Sequence, residues 1–163
     1  MTQSSARIPR TSKIPDHAHS MEMEVPFHDI DSLLVVWHGH YLKYMEISRC
    51  ALLKKFDLDV FEMVRIGYRF MVAEMSCRYT NALTYGDKFR ITSWFTETEH
   101  KIGIAYEIYN ITRGKRAFRG TTDLITVSAE GKLQMSTPKV ILDKLPVLTK
   151  RSSSSESKNA AAN

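Results

Sequence analysis

The chain has 163 residues and a formal charge of +5, from 23 Lys and Arg against 18 Asp and Glu. This length favours a single domain with a substantial core, and a content of 43% hydrophobic and 25% charged residues excludes a wholly disordered chain. No apolar run approaches the roughly 18–20 residues of a membrane-spanning helix. The basic residues are scattered, so we expect no nucleic-acid partner; a phosphate-bearing small ligand or an acidic carrier protein fits the charge at least as well.

Both ends of the chain are predicted to be disordered. Residues 1–20 are polar and contain no apolar stretch of the kind found in a secretory signal, and residues 150–163 are of low complexity. The two cysteines, Cys50 and Cys77, are too few for a disulfide framework, and we expect them to be reduced thiols in a cytoplasmic protein. The predicted folded domain is therefore 21–149.

The first half of this domain predicts one strand and two helices. Residues 21–28 alternate apolar and polar side chains, which is typical of a strand, and Pro26 restricts that strand to an edge. Its apolar face consists of Met21, Met23, Val25 and Phe27. Residues 40–56 have the wide apolar surface of a mostly enclosed helix, and residues 59–66 predict a second, short helix that is closed by Gly67.

The second half predicts strands almost throughout. The predicted strands are 68–79, 88–99, 102–111, 116–128 and a short one near 133–136, followed by a terminal helix at 139–144. Hairpin turns at 112–115 and 129–132 make neighbouring strands antiparallel, which excludes a doubly wound parallel sheet. We therefore predict an α+β fold in which one long helix packs on a curved antiparallel sheet. Small strand residues would allow the helix to approach closely, namely Gly103, Ala105 and Gly120.

The segment 27–49 (FHDIDSLLVVWHGHYLKYMEISR) carries the residues best suited to chemistry. Two carboxylates, Asp29 and Asp31, precede a helix whose start carries His38 and His40. Because a helix N-terminus exposes unpaired N–H groups, it can stabilise an oxyanion while a carboxylate acts as a base or nucleophile. Simpler roles stay open, because the aspartates can cap a helical turn and the histidines can be ordinary polar residues where the loop meets the helix. The two aspartates and two histidines are also residue types that bind metals, but no third group of such residues in the sequence supports a metal site.

The order and spacing in this segment resemble the signature of hotdog-fold acyl-CoA thioesterases of the 4-hydroxybenzoyl-CoA thioesterase type. That signature is roughly D-T-D-x-x-G-V-V-Y-H-x-x-Y-L-x-Y-x-E-x-A-R. The matching residues here are Asp29-Ile30-Asp31, Val35-Val36-Trp37-His38, Tyr41-Leu42, Tyr44, Glu46 and Arg49. Residues 70–79 are similar to the family's second strand, and the layout holds to about residue 145. The resemblance implies a hotdog fold, in which a curved antiparallel sheet wraps a long central helix, and thioester hydrolysis.

The resemblance also implies roles for individual residues. Asp31 matches the catalytic carboxylate. His38 matches the histidine that polarises the carbonyl or orients water, and its backbone N–H matches the amide that faces the thioester oxygen. The supporting positions are Asp29, Trp37, Gly39 and Tyr41.

One residue departs from the signature. The family usually has Gly immediately before the Val-Val pair, whereas this chain has Leu34. If that backbone requires a positive φ, leucine costs on the order of 1 kcal/mol. The pair Leu33-Leu34 also adds bulk beside the expected acyl pocket, which affects substrate size more than reaction type.

Partners follow from the same resemblance. The substrate is expected to be an acyl thioester of coenzyme A or of an acyl-carrier protein, with no metal or redox cofactor and no further cofactor. A homodimer or homotetramer is implied, with sheets joined edge to edge and two sites at the interface. The candidate cations for the phosphates of coenzyme A are Arg78, Arg113, Lys115 and Arg116.

Two other functions compatible with the hotdog fold are considered. A non-hydrolytic protein that binds acyl-CoA or an acyl carrier is favoured by Leu33-Leu34, which stand in place of the usual small residues. A hotdog dehydratase would carry its histidine and carboxylate on the central helix, whereas here the aspartates precede that helix.

Overall fold

A computed structural model of the chain describes residues 14–148. Its elements are β1 (His19–Glu24), a 3-10 turn (Phe27–Asp29), α1 (His40–Lys55), α2 (Val60–Arg65), β2 (Tyr68–Tyr79), β3 (Lys88–Glu97), β4 (Ile102–Asn110), β5 (Lys115–Ser128) and α3 (Lys139–Leu142). The predicted disorder of residues 1–13 and 150–163 lies outside the described residues. Strand β1 begins at His19, two residues before the predicted domain boundary.

The five strands form one antiparallel sheet in the order β1-β3-β4-β5-β2. The α+β prediction is therefore confirmed. Strands β1 and β2 lie at the two edges, and α1 packs against β1 and β3. Since β2 pairs only with β5 within the described residues, its other side is an open edge.

Helix α1 divides its side chains as its periodicity predicts. Ser48 lies at the centre of the buried side, and its Oγ donates a hydrogen bond to Ser93 Oγ on β3 at 2.8 Å. The other buried residues of this face include Tyr41, Tyr44, Met45 and Leu52, and the exposed side carries Lys43, Glu46, Cys50 and Lys54. The apolar face of the helix is thus covered mainly by its own sheet.

Close approach of helix and sheet occurs at Gly120. A Cβ at this position would lie 3.1 Å from Met45 Cε of α1 and 2.9 Å from the Phe118 ring. The predicted close approach to the helix is wrong for Gly103. A Cβ added there would first meet Thr96 Oγ1, at 2.7 Å, which belongs to β3 and not to the helix. Gly103 instead lies opposite the irregularity in β3 between Phe95 and Glu97.

Two predicted strands differ from the structure. The strand predicted at 21–28 ends at Glu24 because Pro26 interrupts it, and the next residues form the 3-10 turn. Phe27 is consequently 76% exposed instead of facing the core. The predicted short strand at 133–136 is absent from the described chain, where this region makes a single bridge between Val127 and Leu133.

Candidate active site

The residues between the 3-10 turn and α1 form a tight loop with paired arms. Ile30 and Val36 make an antiparallel bridge, and Asp31 N donates to Val35 O at 2.9 Å. At the tip of this loop, Leu34 has a φ of 60°. Leucine therefore has a left-handed backbone at the position usually occupied by glycine, which is the condition under which strain is expected there. The pairing holds Asp31 on a short turn in the loop that leads into α1.

Asp31 is partly buried at the beginning of this turn. Its Oδ1 accepts a hydrogen bond from Leu33 N at 2.8 Å, and its backbone O accepts one from Leu34 N at 3.0 Å. Within residues 14–148, no hydrogen bond to Oδ2 occurs, and no ion pair joins Asp31 to His38. The turn therefore fixes one carboxylate oxygen and leaves the other able to act on a ligand.

Asp29 is the buried carboxylate of the pair, with 1% of its surface exposed. Its Oδ2 accepts a hydrogen bond from Tyr44 Oη at 2.6 Å. Its Oδ1 lies 3.3 Å from His40 Nδ1, 3.5 Å from His28 Nε2 and 3.9 Å from Lys43 Nζ. Burial, followed by this hydrogen bond to Asp29, raises the pKa of Tyr44, so the phenol stays protonated as the donor.

The first helical residue of α1 is His40, and Gly39 occupies the N-cap position. His38 therefore lies just before the helix rather than at its first residue. Within the described chain, neither His38 N nor Gly39 N donates a hydrogen bond, whereas His40 N donates to Trp37 O at 2.9 Å. Two backbone N–H groups thus stay unpaired at the positive end of the helix dipole.

Trp37 covers this helix start. Its ring lies 4.9 Å from the His38 ring and 5.5 Å from the His40 ring, measured between centroids. A Cβ on Gly39 would lie 2.1 Å from the Trp37 ring, so the indole can occupy this position only over a glycine. The predicted supporting residues Trp37 and Gly39 are therefore in direct contact.

Two tyrosines connect the helix start to β2 and to the loop that follows it. Tyr41, a predicted supporting residue, is buried, and its Oη accepts a hydrogen bond from Leu83 N at 3.2 Å. Tyr79 Oη, at the end of β2, donates to His38 O at 3.0 Å. The sequence did not single out Tyr79, because its partner is 41 residues earlier and no local pattern indicates that contact.

The four candidate cations for phosphate binding differ in their surroundings. Arg113 Nε lies 3.2 Å from Asp87, and its Nη2 donates to Thr84 Oγ1 at 2.6 Å. Arg116 Nη1 donates to Glu107 at 3.2 Å. Arg78 and Lys115 are exposed on the surface.

An apolar cleft of about 580 Å³ lies farther along α1, between that helix, α2 and β2. Its lining includes Glu46, Arg49, Cys50, Leu53, Leu58, Phe61, Val64, Phe70 and Val72. The sequence prediction missed this cleft, although the exposed apolar residues Val60, Phe61 and Val64 of α2 were a signal for it.

Neither a metal centre nor a membrane span is found in residues 14–148. No group of three or more His, Cys, Asp or Glu side chains there is arranged to hold a metal ion. No helix in that range combines the length and apolar character needed to cross a bilayer.

Comparison with known proteins decides the family. A sequence profile described as the thioesterase-like superfamily matches residues 25–145. The chain belongs to this superfamily. YneP of Bacillus subtilis, which is provisionally named an acyl-CoA thioesterase, is a thioesterase-like relative with 29% identity over 115 residues, covering 70% of this chain and 83% of YneP.

Solved thioesterase structures share the fold. The DHNA-CoA thioesterase from Staphylococcus aureus superposes with a TM-score of 0.66 and 23% identity, over 72% of this chain and 80% of that one. A mutant 4-hydroxybenzoyl CoA thioesterase complexed with 4-hydroxybenzoyl CoA gives a TM-score of 0.70 and 14% identity, over 78% and 98% of the two chains. The predicted thioesterase resemblance, hotdog fold and enzyme class are confirmed.

Proposed function

We propose that the chain hydrolyses acyl thioesters of coenzyme A or of an acyl-carrier protein. The observation that supports this proposal is that the loop leading into α1 carries both the Asp31 carboxylate, whose Oδ2 accepts no hydrogen bond within the described residues, and the unpaired backbone N–H groups of His38 and Gly39. The names of similar proteins support a coenzyme A thioester, since the neighbours include thioesterases of that type and one complex with 4-hydroxybenzoyl CoA.

In the proposed reaction, Asp31 either activates water or attacks the acyl carbon to form a mixed anhydride. The N–H groups of His38 and Gly39 stabilise the resulting tetrahedral oxyanion, a contribution of about 10²–10³ in rate for one donor. The His38 imidazole polarises the carbonyl or orients water. The leaving thiolate has a conjugate acid with a pKa of about 8.5 if it behaves like a free cysteine. Hydrolysis therefore needs neither a strong acid nor a metal or redox cofactor.

A second copy of the chain is part of this proposal. Strand β2 has 12 residues and an open edge, and its middle residues are exposed on both faces of the sheet. Met71, Val72 and Met75 are 54%, 43% and 44% exposed. A long, apolar, unprotected edge strand is unusual in a monomer, and pairing β2 with its symmetry mate would cover it. This arrangement agrees with the edge-to-edge dimer implied by the resemblance, which also allows for a tetramer.

The phosphates of coenzyme A would then bind to exposed cations. Arg78 and Lys115 are the stronger candidates, because Arg113 and Arg116 already contact Asp87 and Glu107. The proposed location is the cytoplasm, where the free thiols Cys50 and Cys77 would stay reduced.

A thiol-release assay with aromatic, short and long acyl-CoA substrates tests this function. We expect the wild type to release free thiol and Asp31→Asn to lower kcat by about 10²-fold or more, because the carboxylate acts in the chemical step. The melting temperature should stay near that of the wild type, since the amide oxygen of the replacement side chain can still accept from Leu33 N.

Asp57→Asn is the matched control for this variant. Asp57 is exposed and has a φ of 52°, which asparagine tolerates, so activity should stay within about twofold of the wild type. Binding of acyl-CoA without thiol release by the wild type would contradict the hydrolase proposal and favour a non-hydrolytic binding protein. Undiminished turnover by Asp31→Asn would exclude the proposed mechanism.

A further inference from the structure

We propose that His40, oriented by Asp29 and Tyr44, carries the proton during thioester hydrolysis. This inference rests on the proposed function and adds to it a proton-transfer residue that the sequence did not single out for that role. His40 is the first residue of α1 and lies next to the unpaired amides of His38 and Gly39. It is therefore close in the chain to the groups proposed to receive the oxyanion.

The buried carboxylate of Asp29 sets the orientation of the His40 ring. Asp29 Oδ1 is fully buried and has no hydrogen bond of ordinary geometry within the described residues, and His40 Nδ1, at 3.3 Å, lies nearer to it than His28 Nε2 or Lys43 Nζ. A buried carboxylate oxygen without a donor is costly, so a proton on Nδ1 directed at Oδ1 is favoured. The other ring nitrogen, Nε2, is then left as the proton acceptor.

The surrounding side chains restrict both groups. Tyr44 Oη donates to Asp29 Oδ2 at 2.6 Å, which holds the carboxylate, and the Trp37 ring meets the His40 ring edge to face. The His40 side chain is 27% exposed, so the ring is restricted and still accessible. This is the arrangement of a carboxylate that orients a catalytic imidazole, extended here by a phenol.

His28 is the competing histidine, since its Nε2 lies 3.5 Å from the same Asp29 oxygen. Its side chain is 71% exposed and it precedes the loop rather than the helix, so its ring is less restricted than that of His40. His38 makes no contact with a carboxylate within residues 14–148. His40 is therefore the histidine that the geometry favours for proton transfer.

The proton balance of the reaction defines what His40 does. When Asp31 activates water, its carboxylate polarises the water through a hydrogen bond, the hydroxyl adds to the acyl carbon, and the proton passes to His40 Nε2. The carbon–sulfur bond breaks with its electron pair on sulfur, and the imidazolium returns the proton to the thiolate. If Asp31 attacks first, the thiolate leaves before the water adds to the anhydride, and the same proton passes through His40. Thioester and water become carboxylic acid and thiol in both sequences.

The kinetic test compares two histidine variants in the thiol-release assay. We expect His40→Gln to lower kcat by about 10²-fold or more while KM changes by no more than about threefold, because the loss falls on proton transfer rather than on binding. The matched control His28→Gln removes the other imidazole at Asp29 Oδ1 and should keep activity within about twofold of the wild type.

Nitrogen-15 NMR of the histidine rings tests the positioning without measuring activity. We expect neutral His40 to carry its proton on Nδ1 in the wild type. This preference should weaken in Tyr44→Phe, a variant that keeps the ring and removes only the hydroxyl, and should be lost in Asp29→Asn. Circular dichroism and melting curves show whether each variant is folded, and Tyr44→Phe keeps the test valid if Asp29→Asn unfolds.

The outcomes separate the two proposals. The role of His40 is overturned if His40→Gln turns over as fast as the wild type, or if NMR shows neutral His40 protonated on Nε2. Either result leaves the hydrolase proposal intact. Absence of thiol release by the wild type from both acyl-CoA and acyl-carrier-protein thioesters overturns the hydrolase proposal and with it the catalytic role of His40.

Discussion

Leu34 holds a backbone conformation that favours glycine. Its φ is 60° and its side chain is 75% exposed, so it gains little from burial to offset the strain. The left-handed conformation costs a non-glycine residue roughly 1–2 kcal/mol, whereas glycine loses about 0.5–1 kcal/mol more in conformational entropy on folding. We therefore expect Leu34→Gly to raise the free energy of unfolding by about 0.5–1 kcal/mol in urea denaturation.

Leu33→Gly is the control for this prediction, because Leu33 is the adjacent residue, is 78% exposed and is not among the residues with positive φ. Glycine at that position should lower the free energy of unfolding by about 0.5–1 kcal/mol. If both variants shift stability in the same direction, backbone strain at Leu34 is not the cause.

The two aspartates of the Asp-x-Asp pair show what sequence cannot predict at this scale. The residue types and their order indicated a carboxylate site before a helix, and the departure from the family signature predicted strain at Leu34 only if its φ is positive. Asp29 is nevertheless buried against Tyr44 and His40, whereas Asp31 caps a turn. That difference depends on how the paired loop folds back onto α1, which the local pattern does not specify.

At the scale of elements, Asp87 links the start of β3 to the turn between β4 and β5. It is 4% exposed, and its Oδ2 accepts hydrogen bonds from Thr84 N at 2.9 Å and Asn110 Nδ2 at 2.8 Å. Arg113 Nε donates to its Oδ1 at 3.2 Å. Burial alone would raise the pKa of Asp87, but these hydrogen bonds outweigh it and lower the pKa.

A folded-state pKa below the unfolded value makes this contribution depend on pH. The stabilisation is complete above the unfolded pKa of about 3.9 and is lost as the pH falls through the folded value. We expect Asp87→Asn to lower the free energy of unfolding by about 1.5–3 kcal/mol at neutral pH. The deficit should shrink progressively below about pH 4 in urea titrations.

Asp143→Asn is the control, since Asp143 is 62% exposed and, among the described residues, pairs only with Lys139 four residues earlier. Its loss should change stability by no more than about 0.5 kcal/mol. A deficit in Asp87→Asn that is the same at neutral and acidic pH would show that charge at Asp87 does not stabilise the junction.

The ends of an element were predictable where a regular hydrophobic period was followed by a residue that ends the element. The 3.6-residue period predicted α1 to within one residue, and Gly67, with a φ of 83°, follows α2 closely. The strand predicted at 21–28 was too long because the alternation continued through Pro26 into the 3-10 turn. The short strand predicted at 133–136 did not form, because a strand needs a partner elsewhere in the chain and this segment makes a single bridge, between Val127 and Leu133.

At the scale of the whole molecule, the open edge of β2 predicts a dimer. We expect light scattering to give twice the chain mass, and Met75→Lys to shift the protein towards monomer because it places a charge in the middle of the pairing strand. Met75 is 44% exposed on this edge. Met135→Lys is the matched control, because Met135 is 84% exposed outside the strands and its replacement should leave the dimer intact.

A monomeric wild type at micromolar concentration, or equal dissociation by both lysine variants, would contradict pairing through β2. The sequence could predict the strand but not its open edge. Whether an edge is free depends on the order of the strands in the sheet, and this order is β1-β3-β4-β5-β2.

The most direct measurement is a crystal structure of Asp31→Asn with an intact acyl-CoA bound. We expect the thioester oxygen at about 2.7–3.1 Å from the backbone N of His38 or Gly39, with the replacement amide at position 31 beside the acyl carbon. An acyl carbon bound away from both groups, for example with the whole thioester in the cleft between α1, α2 and β2, would contradict the proposed active site.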